Sequence, residues 1–216
     1  LRFVDYAWRG GREAMLRMGP DDGPTILAFP ALFEEANRTR ATLIGVLRRL
    51  AEAGRSVVLP DLPGQGESLL PVSAVNLSMW HDAAAAAAAH VSGSIHVVAV
   101  RGGALVDTAV AAASRWHWAP LTGAEQVREL TRLRSLSDGE GYAGNDLSDD
   151  LLAQLQQAEP MLTPPSRVVR MASDPRPADL HLDGLPPWRA SEPVTDRDLA
   201  ARLADDLDQW LAARMA

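Results

Sequence analysis

A chain of 216 residues with 47% hydrophobic and 23% charged side chains has the composition of an ordinary globular domain and the length to bury a full core as one unit, residues 1–216. Its formal net charge of −7, with arginines scattered along the sequence, argues against a basic field for nucleic acid. No apolar run approaches the about 20 residues of a membrane span, and the lack of cysteine excludes disulfides, thiolate metal sites and a thiol nucleophile.

Taken in chain order, Leu1 to Trp8 and Arg12 to Met18 read as two strands joined at Gly10-Gly11, an antiparallel start to a sheet. After the turn Asp21-Asp22-Gly23-Pro24, the apolar run Thr25 to Phe29 is a short buried strand. Asn37 to Ala53 carries Leu43, Val46, Leu47 and Leu50 at helical spacing and ends at Gly54, a C-terminal cap. Ser56 to Leu59 makes the next strand. The loop Asp61-Leu62-Pro63-Gly64-Gln65-Gly66-Glu67-Ser68 follows, then the alanine tract Ala83 to Ala89, a helix built from the strongest helix former.

Ile95 to Val100 predicts a buried strand, Arg101-Gly102-Gly103 a sharp turn, and Ala104 to Ala109 the start of a helix. Ser114 to Leu121 predicts a sixth strand. Glu125 to Leu136 and Ser148 to Gln157 predict two helices around a glycine-rich loop, a small helical lid within residues 123–160. Arg167 to Met171 reads as a further strand, and Thr195 to Met215 as an amphipathic helix with Thr195 at its N-cap. Strands alternating with helices after an antiparallel start argue for an α/β fold. The expected architecture is a mostly parallel sheet, covered on both faces, with ligands at the carboxyl ends of its strands.

Three segments together resemble the α/β-hydrolase superfamily: Phe29-Pro30-Ala31 at the usual oxyanion loop, Asp61 to Ser68, and the strand–turn–helix around Arg101. More narrowly, Phe33-Glu34-Glu35-Ala36-Asn37-Arg38-Thr39-Arg40, the arginine at the turn, Trp118-Ala119-Pro120-Leu121-Thr122-Gly123 and Gly141-Tyr142 look like the exosortase A system-associated hydrolase 2 family. The chain departs from that family's pattern in having Val98-Ala99 where Trp-Gly commonly stands ahead of the arginine. The resemblance implies a hydrolase fold and an association with bacterial exopolysaccharide and protein-sorting loci.

The chemistry expected of such a fold is incomplete. Arg101 occupies the place of the nucleophilic serine, and a guanidinium stays protonated and offers no lone pair. Where the resemblance places the catalytic histidine, after Gly184, the chain has Leu185 and Pro186, and His181 is the nearest imidazole. Asp174 stands where the superfamily's acid usually lies. A buried cation needs an opposite charge, so Arg101 is expected to pair with Glu34 or Glu35 on the loop after Phe29, with Asn37 or Arg40 close by.

The expected site therefore comprises Arg101, Glu34, Glu35 and Asp174 as chemistry-bearing groups. Asn37, Arg40, Ala31 and Gly102 line it, with Trp188 as an aromatic wall for a sugar or acyl group. No residue pair suggests a metal, and no motif calls for a cofactor. Two readings stay open: a degenerate member that binds a polar, anionic or acyl ligand or a partner, and an esterase or acyl hydrolase with non-standard acid–base groups. A protein partner or a second copy of the chain is a further expected binder. No signal-peptide pattern opens the sequence at Leu1, so a cytoplasmic protein is expected.

Overall fold

The computed structural model describes residues 1–136, 141–142, 144–193 and 195–215. The chain opens with an antiparallel hairpin, β1 (Arg2–Trp8) and β2 (Gly11–Met18), and continues through β3 (Thr25–Phe29), α1 (Glu34–Glu52), β4 (Ser56–Pro60) and α2 (Leu77–Ala89). Then come β5 (Ile95–Val100), β6 (Ser114–Trp118), α3 (Gly123–Leu136), α4 (Asp149–Gln157), β7 (Ser166–Met171), β8 (Leu180–Leu182) and α5 (Arg197–Met215). The strands form one sheet in the order β1-β2-β4-β3-β5-β6-β7-β8. β2 joins β4 antiparallel, and every later pairing is parallel.

Period-two alternation sorts the central strands into two cores. Leu27, Phe29, Val97 and Ala99 face one side, with Trp80, Ala83, Ala84 and Ala87 of α2 against them. Ile26, Ala28, Val98 and Val100 face the other, under Leu43, Val46, Leu47 and Leu50 of α1 and Leu199, Leu203, Leu207 and Leu211 of α5. The alanines of α2 therefore do more than favour helix: their small side chains form its buried face. Leu130, Leu151 and Leu155 tie α3 and α4 into the first core.

Four expectations shift. First, α1 begins at Glu34, three residues early, so both glutamates stand in its first turn and not on a loop; the side chain of Phe33, the residue before it, makes no capping bond. Secondly, β6 ends at Trp118, where Ala119 turns to a φ of +50°. Thirdly, Asp196 and not Thr195 caps α5, its Oδ1 accepting from the Leu199 N–H at 2.8 Å. Fourthly, no α-helix follows β5: the segment makes two short 3-10 turns, Arg101–Leu105 and Asp107–Ala109. This stretch runs hard against the end of β3, for a Cβ on Gly103 would lie 2.4 Å from the Pro30 carbonyl oxygen and 2.7 Å from that of Phe29. Residues 137–140 and 143 of the expected glycine-rich loop lie outside the described residues.

Candidate functional site

The parallel strands end on one rim, and Arg101 sits at its centre, on the turn leaving β5. Its φ is +51°, a left-handed conformation that costs a non-glycine residue about 1 kcal/mol or more and persists only where the surroundings hold it. The side chain is buried, and its Nη2 donates to Glu35 Oε1 at 2.7 Å while Nε lies 3.1 Å from both carboxylate oxygens. The Trp188 ring covers the guanidinium, its centroid 4.7 Å from Cζ. Glu129 of α3 stands 3.8 Å from the same guanidinium. Burial pushes the Glu35 carboxyl up from its ordinary range, against the Arg101 guanidinium that favours its ionised form.

Glu34 takes a different partner, Arg38, one turn along α1. Arg38 in turn donates from Nη1 to the Trp188 carbonyl at 3.0 Å. Successive residues on an α-helix are rotated by about 100°, so Glu35 and Arg38 share the face toward the turn after β5, and Asn37 and Arg40 point elsewhere. Those two, with Ala31, line a separate cavity of about 280 Å³ beside Asp61 and Gln65. The expectation that Asn37 or Arg40 would sit near Arg101 fails for that rotational reason. In the same cavity burial raises the Asp61 carboxyl, with Arg40 opposing it.

Side chains pack closely against the backbone at the end of the loop after β3 and at the turn after β5. Phe33, at a φ of +58°, donates its backbone N–H to Gln65 Oε1 at 3.1 Å. Beside Gly102, the Gln126 side chain comes so near that a Cβ on the glycine would lie 2.3 Å from Gln126 Oε1 and 3.1 Å from Leu32 Cδ1. Gln126 is buried, and its Oε1 has no hydrogen-bond partner.

Asp174, on the loop after β7, is enclosed by arginines. Arg176 donates to it through Nε at 2.9 Å and Nη2 at 2.7 Å, and Arg170 through Nη1 at 3.0 Å. The Arg176 hydrogen bonds, above all, hold its carboxyl well below the usual range despite burial. Arg176 also reaches Glu125 Oε1 at 2.8 Å, which links this loop to α3. His181 is exposed, and among the described residues its Nε2 hydrogen-bonds the Arg176 carbonyl, at 3.1 Å.

Arg101, Asp174 and Trp188 line a common cleft of about 760 Å³ at the strand ends. Trp188 is not the open aromatic wall expected of it, because Arg101 covers its ring and Trp118 meets it edge-on at 5.3 Å. The feature that sequence reading missed is the cleft's charge. Six arginines line it, namely Arg38, Arg101, Arg128, Arg132, Arg176 and Arg189, against Glu125, Glu129 and Asp174.

Among the described residues, the hydrogen bonds joining serine to histidine are those of His96 with Ser94 and Ser114, at 3.4 and 2.9 Å. They lie at the opposite, amino-terminal ends of β5 and β6. A buried pair beneath the turn was also missed: Asp107 Oδ2 lies 2.6 Å from His117 Nε2, with Arg115 Nε 3.8 Å from Oδ1. Neither side chain of the Asp107–His117 pair reaches solvent, so the pair fastens the 3-10 segment to β6 and does not face the cleft. No cluster of His, Cys, Asp or Glu among the described residues forms a metal site. No helix among them is long and apolar enough to cross a membrane.

A sheet of this strand order, with the turn after β5 at the centre of its rim, defines the α/β-hydrolase fold. Solved structures of that fold superpose over the whole chain. Alpha/beta hydrolase domain-containing protein 10 from mouse matches at a TM-score of 0.69 and 12% identity, covering 99% of each chain. Est1E from Butyrivibrio proteoclasticus, with ferulic acid bound, matches at a TM-score of 0.64 and 13% identity, covering 97% of this chain and 99% of that one. A thermophilic esterase from Thermogutta terrifontis, with malate bound, matches at a TM-score of 0.61 and 14% identity over 100% of both chains. No family model matches the sequence, and no curated protein matches it.

Proposed function

We propose that this chain is an α/β-hydrolase-fold protein that binds a polar, anionic or acyl small molecule in the cleft beside residue 101 without Ser-His-Asp hydrolysis. The observation that carries this reading is the guanidinium at the turn after β5, held at a φ of +51° and tied to Glu35. Triad hydrolysis needs a hydroxyl there and an imidazole within reach of it. The two serines hydrogen-bonded to His96 sit at the far end of the strands, and His181 points its Nε2 at a backbone carbonyl. A role in a bacterial exopolysaccharide or exosortase-associated system rests on the resemblance over Phe33 to Arg40, Arg101, Trp118 to Gly123 and Gly141-Tyr142.

The burial-raised Glu35 carboxyl favours a second reading, an esterase or acyl hydrolase with non-standard acid–base groups. Asp174 and Glu34 lend it little. Asp174 is a weak base, held ionised by Arg176, and Glu34 is paired with Arg38. Short-chain p-nitrophenyl esters and a fluorophosphonate probe separate the two readings. The first expects no turnover and no labelling of the purified protein. Turnover that disappears in Glu35→Gln establishes the second.

A further inference from the structure

The cleft's arginines are not equivalent. Arg38, Arg101 and Arg176 are each matched by a carboxylate: Glu34, Glu35, and Asp174 with Glu125. The side chains of Arg128, on α3, and Arg189, at the end of the 3-10 turn Pro187–Arg189, make no hydrogen bond or ion pair among the described residues. Arg132, one turn along α3 from Arg128, has only Glu129 at 3.8 Å, and Glu129 lies equally far from Arg101. The cleft thus carries uncompensated positive charge from two separate elements, in a chain whose formal net charge is −7.

We infer that the cleft is a receptor for a small organic phosphate, whose phosphoryl oxygens are met by Arg128 and Arg132 of α3 and by Arg189, which lines the same cleft. This rests on the reading above that the cleft binds and does not hydrolyse. A single carboxylate is satisfied by one guanidinium fork, whereas a multiply charged oxyanion uses several. Arg128 and Arg132 stand one turn apart on α3 and Arg189 lines the same cleft, so an oxyanion bound there gains charge-assisted bonds from more than one guanidinium. The cleft's about 760 Å³ exceeds what a phosphoryl group fills, so an organic body accompanies it. The exposed Ser173 on the same cleft offers a hydroxyl that suits a hydroxylated skeleton, whereas Glu125 and Asp174 are taken up by Arg176.

Isothermal titration of the full chain with pyrophosphate, inorganic phosphate and acetate tests this. Pyrophosphate is expected to bind more tightly than phosphate, with acetate at least tenfold weaker than either, and added salt weakens all three. Arg128→Ala with Arg189→Ala is expected to weaken pyrophosphate at least tenfold with an unchanged melting temperature, since both side chains are exposed. Glu129→Gln, which removes the opposing carboxylate, is expected to tighten it severalfold. An isotherm that the double variant leaves unchanged, or equal binding of acetate and pyrophosphate, overturns the phosphate assignment. Ester turnover by the unmodified protein overturns the non-hydrolytic reading instead, and the two failures are read in separate assays.

Discussion

The Arg101 guanidinium is clasped edge-on by the Glu35 carboxylate and capped by the Trp188 ring, so three elements distant in sequence meet at one cation. Removing Arg101 takes the hydrogen-bonding cation from the buried Glu35 carboxylate, and removing Glu35 leaves the guanidinium with only the more distant Glu129, at 3.8 Å. Arg101→Ala is therefore expected to lower stability by about 3 kcal/mol, the order found when one member of a buried pair is lost. Glu35→Gln in the same chain should return part of that loss. Urea denaturation of the two single variants and the double variant gives the coupling directly; additive losses would show that the pair holds nothing.

Arg101→Ser places a hydroxyl at the turn without supplying a base. With His181 turned to the Arg176 carbonyl and His96 at the far strand ends, the serine stays an ordinary alcohol. Fluorophosphonate labelling and ester turnover are expected to remain at background. Labelling of residue 101, mapped by mass spectrometry, contradicts this.

Much of the architecture was legible because it is written in local pattern. The buried runs at Thr25 to Phe29 and Ile95 to Val100, and the alanine tract, give strands and a helix at the expected places. The start of α1 was missed because Phe33 offers no side-chain cap to mark it. The helix expected after Arg101 failed because apolar spacing over six residues does not separate an α-helix from successive 3-10 turns. The Arg101 to Glu35 contact could be reasoned from charge alone. Its choice over Glu34, and the exile of Asn37 and Arg40 to another cavity, depend on the rotation of a helix whose first residue was misplaced. The basic cleft was invisible for a different reason. Its arginines come from α1, the turn after β5, α3, the loop after β7 and the segment before α5, and only tertiary folding gathers them.

Asp174 carries a pH signature. Its folded-state carboxyl lies below the ordinary value of about 3.9, because Arg176 and Arg170 favour the ionised form. As pH falls, the unfolded chain takes up the proton first, so this group's contribution is whole above about pH 4 and is lost as pH falls below it. Asp174→Asn is expected to lower the melting temperature at neutral pH and to flatten the acid limb of its pH profile. A variant whose acid limb keeps the parent's slope would rule out Asp174 as its source.

Gly103 is held to its identity by space. A methyl group there meets two backbone carbonyl oxygens of the β3 end, at 2.4 and 2.7 Å, and neither can swing away as a side chain could. Gly103→Ala is expected to cost about 2 kcal/mol or more through overpacking, read as a drop in the denaturation midpoint. Gly11→Ala, where φ is likewise not positive and a Cβ meets nothing nearer than Trp8 Nε1 at 3.8 Å, is the uncrowded control.

The pair of 3-10 turns after Arg101 has an electrostatic consequence. A long α-helix starting at such a bend aims a column of aligned peptide dipoles at whatever negative charge forms there, equivalent to roughly half a unit of positive charge. Segments of five and three residues sum few such dipoles, and no column stands behind residue 101. Even a hydroxyl and an imidazole installed together on this rim would still lack the backbone field of a long helix, so an anion drawn to the cleft would be drawn by its side chains and not by its peptide groups.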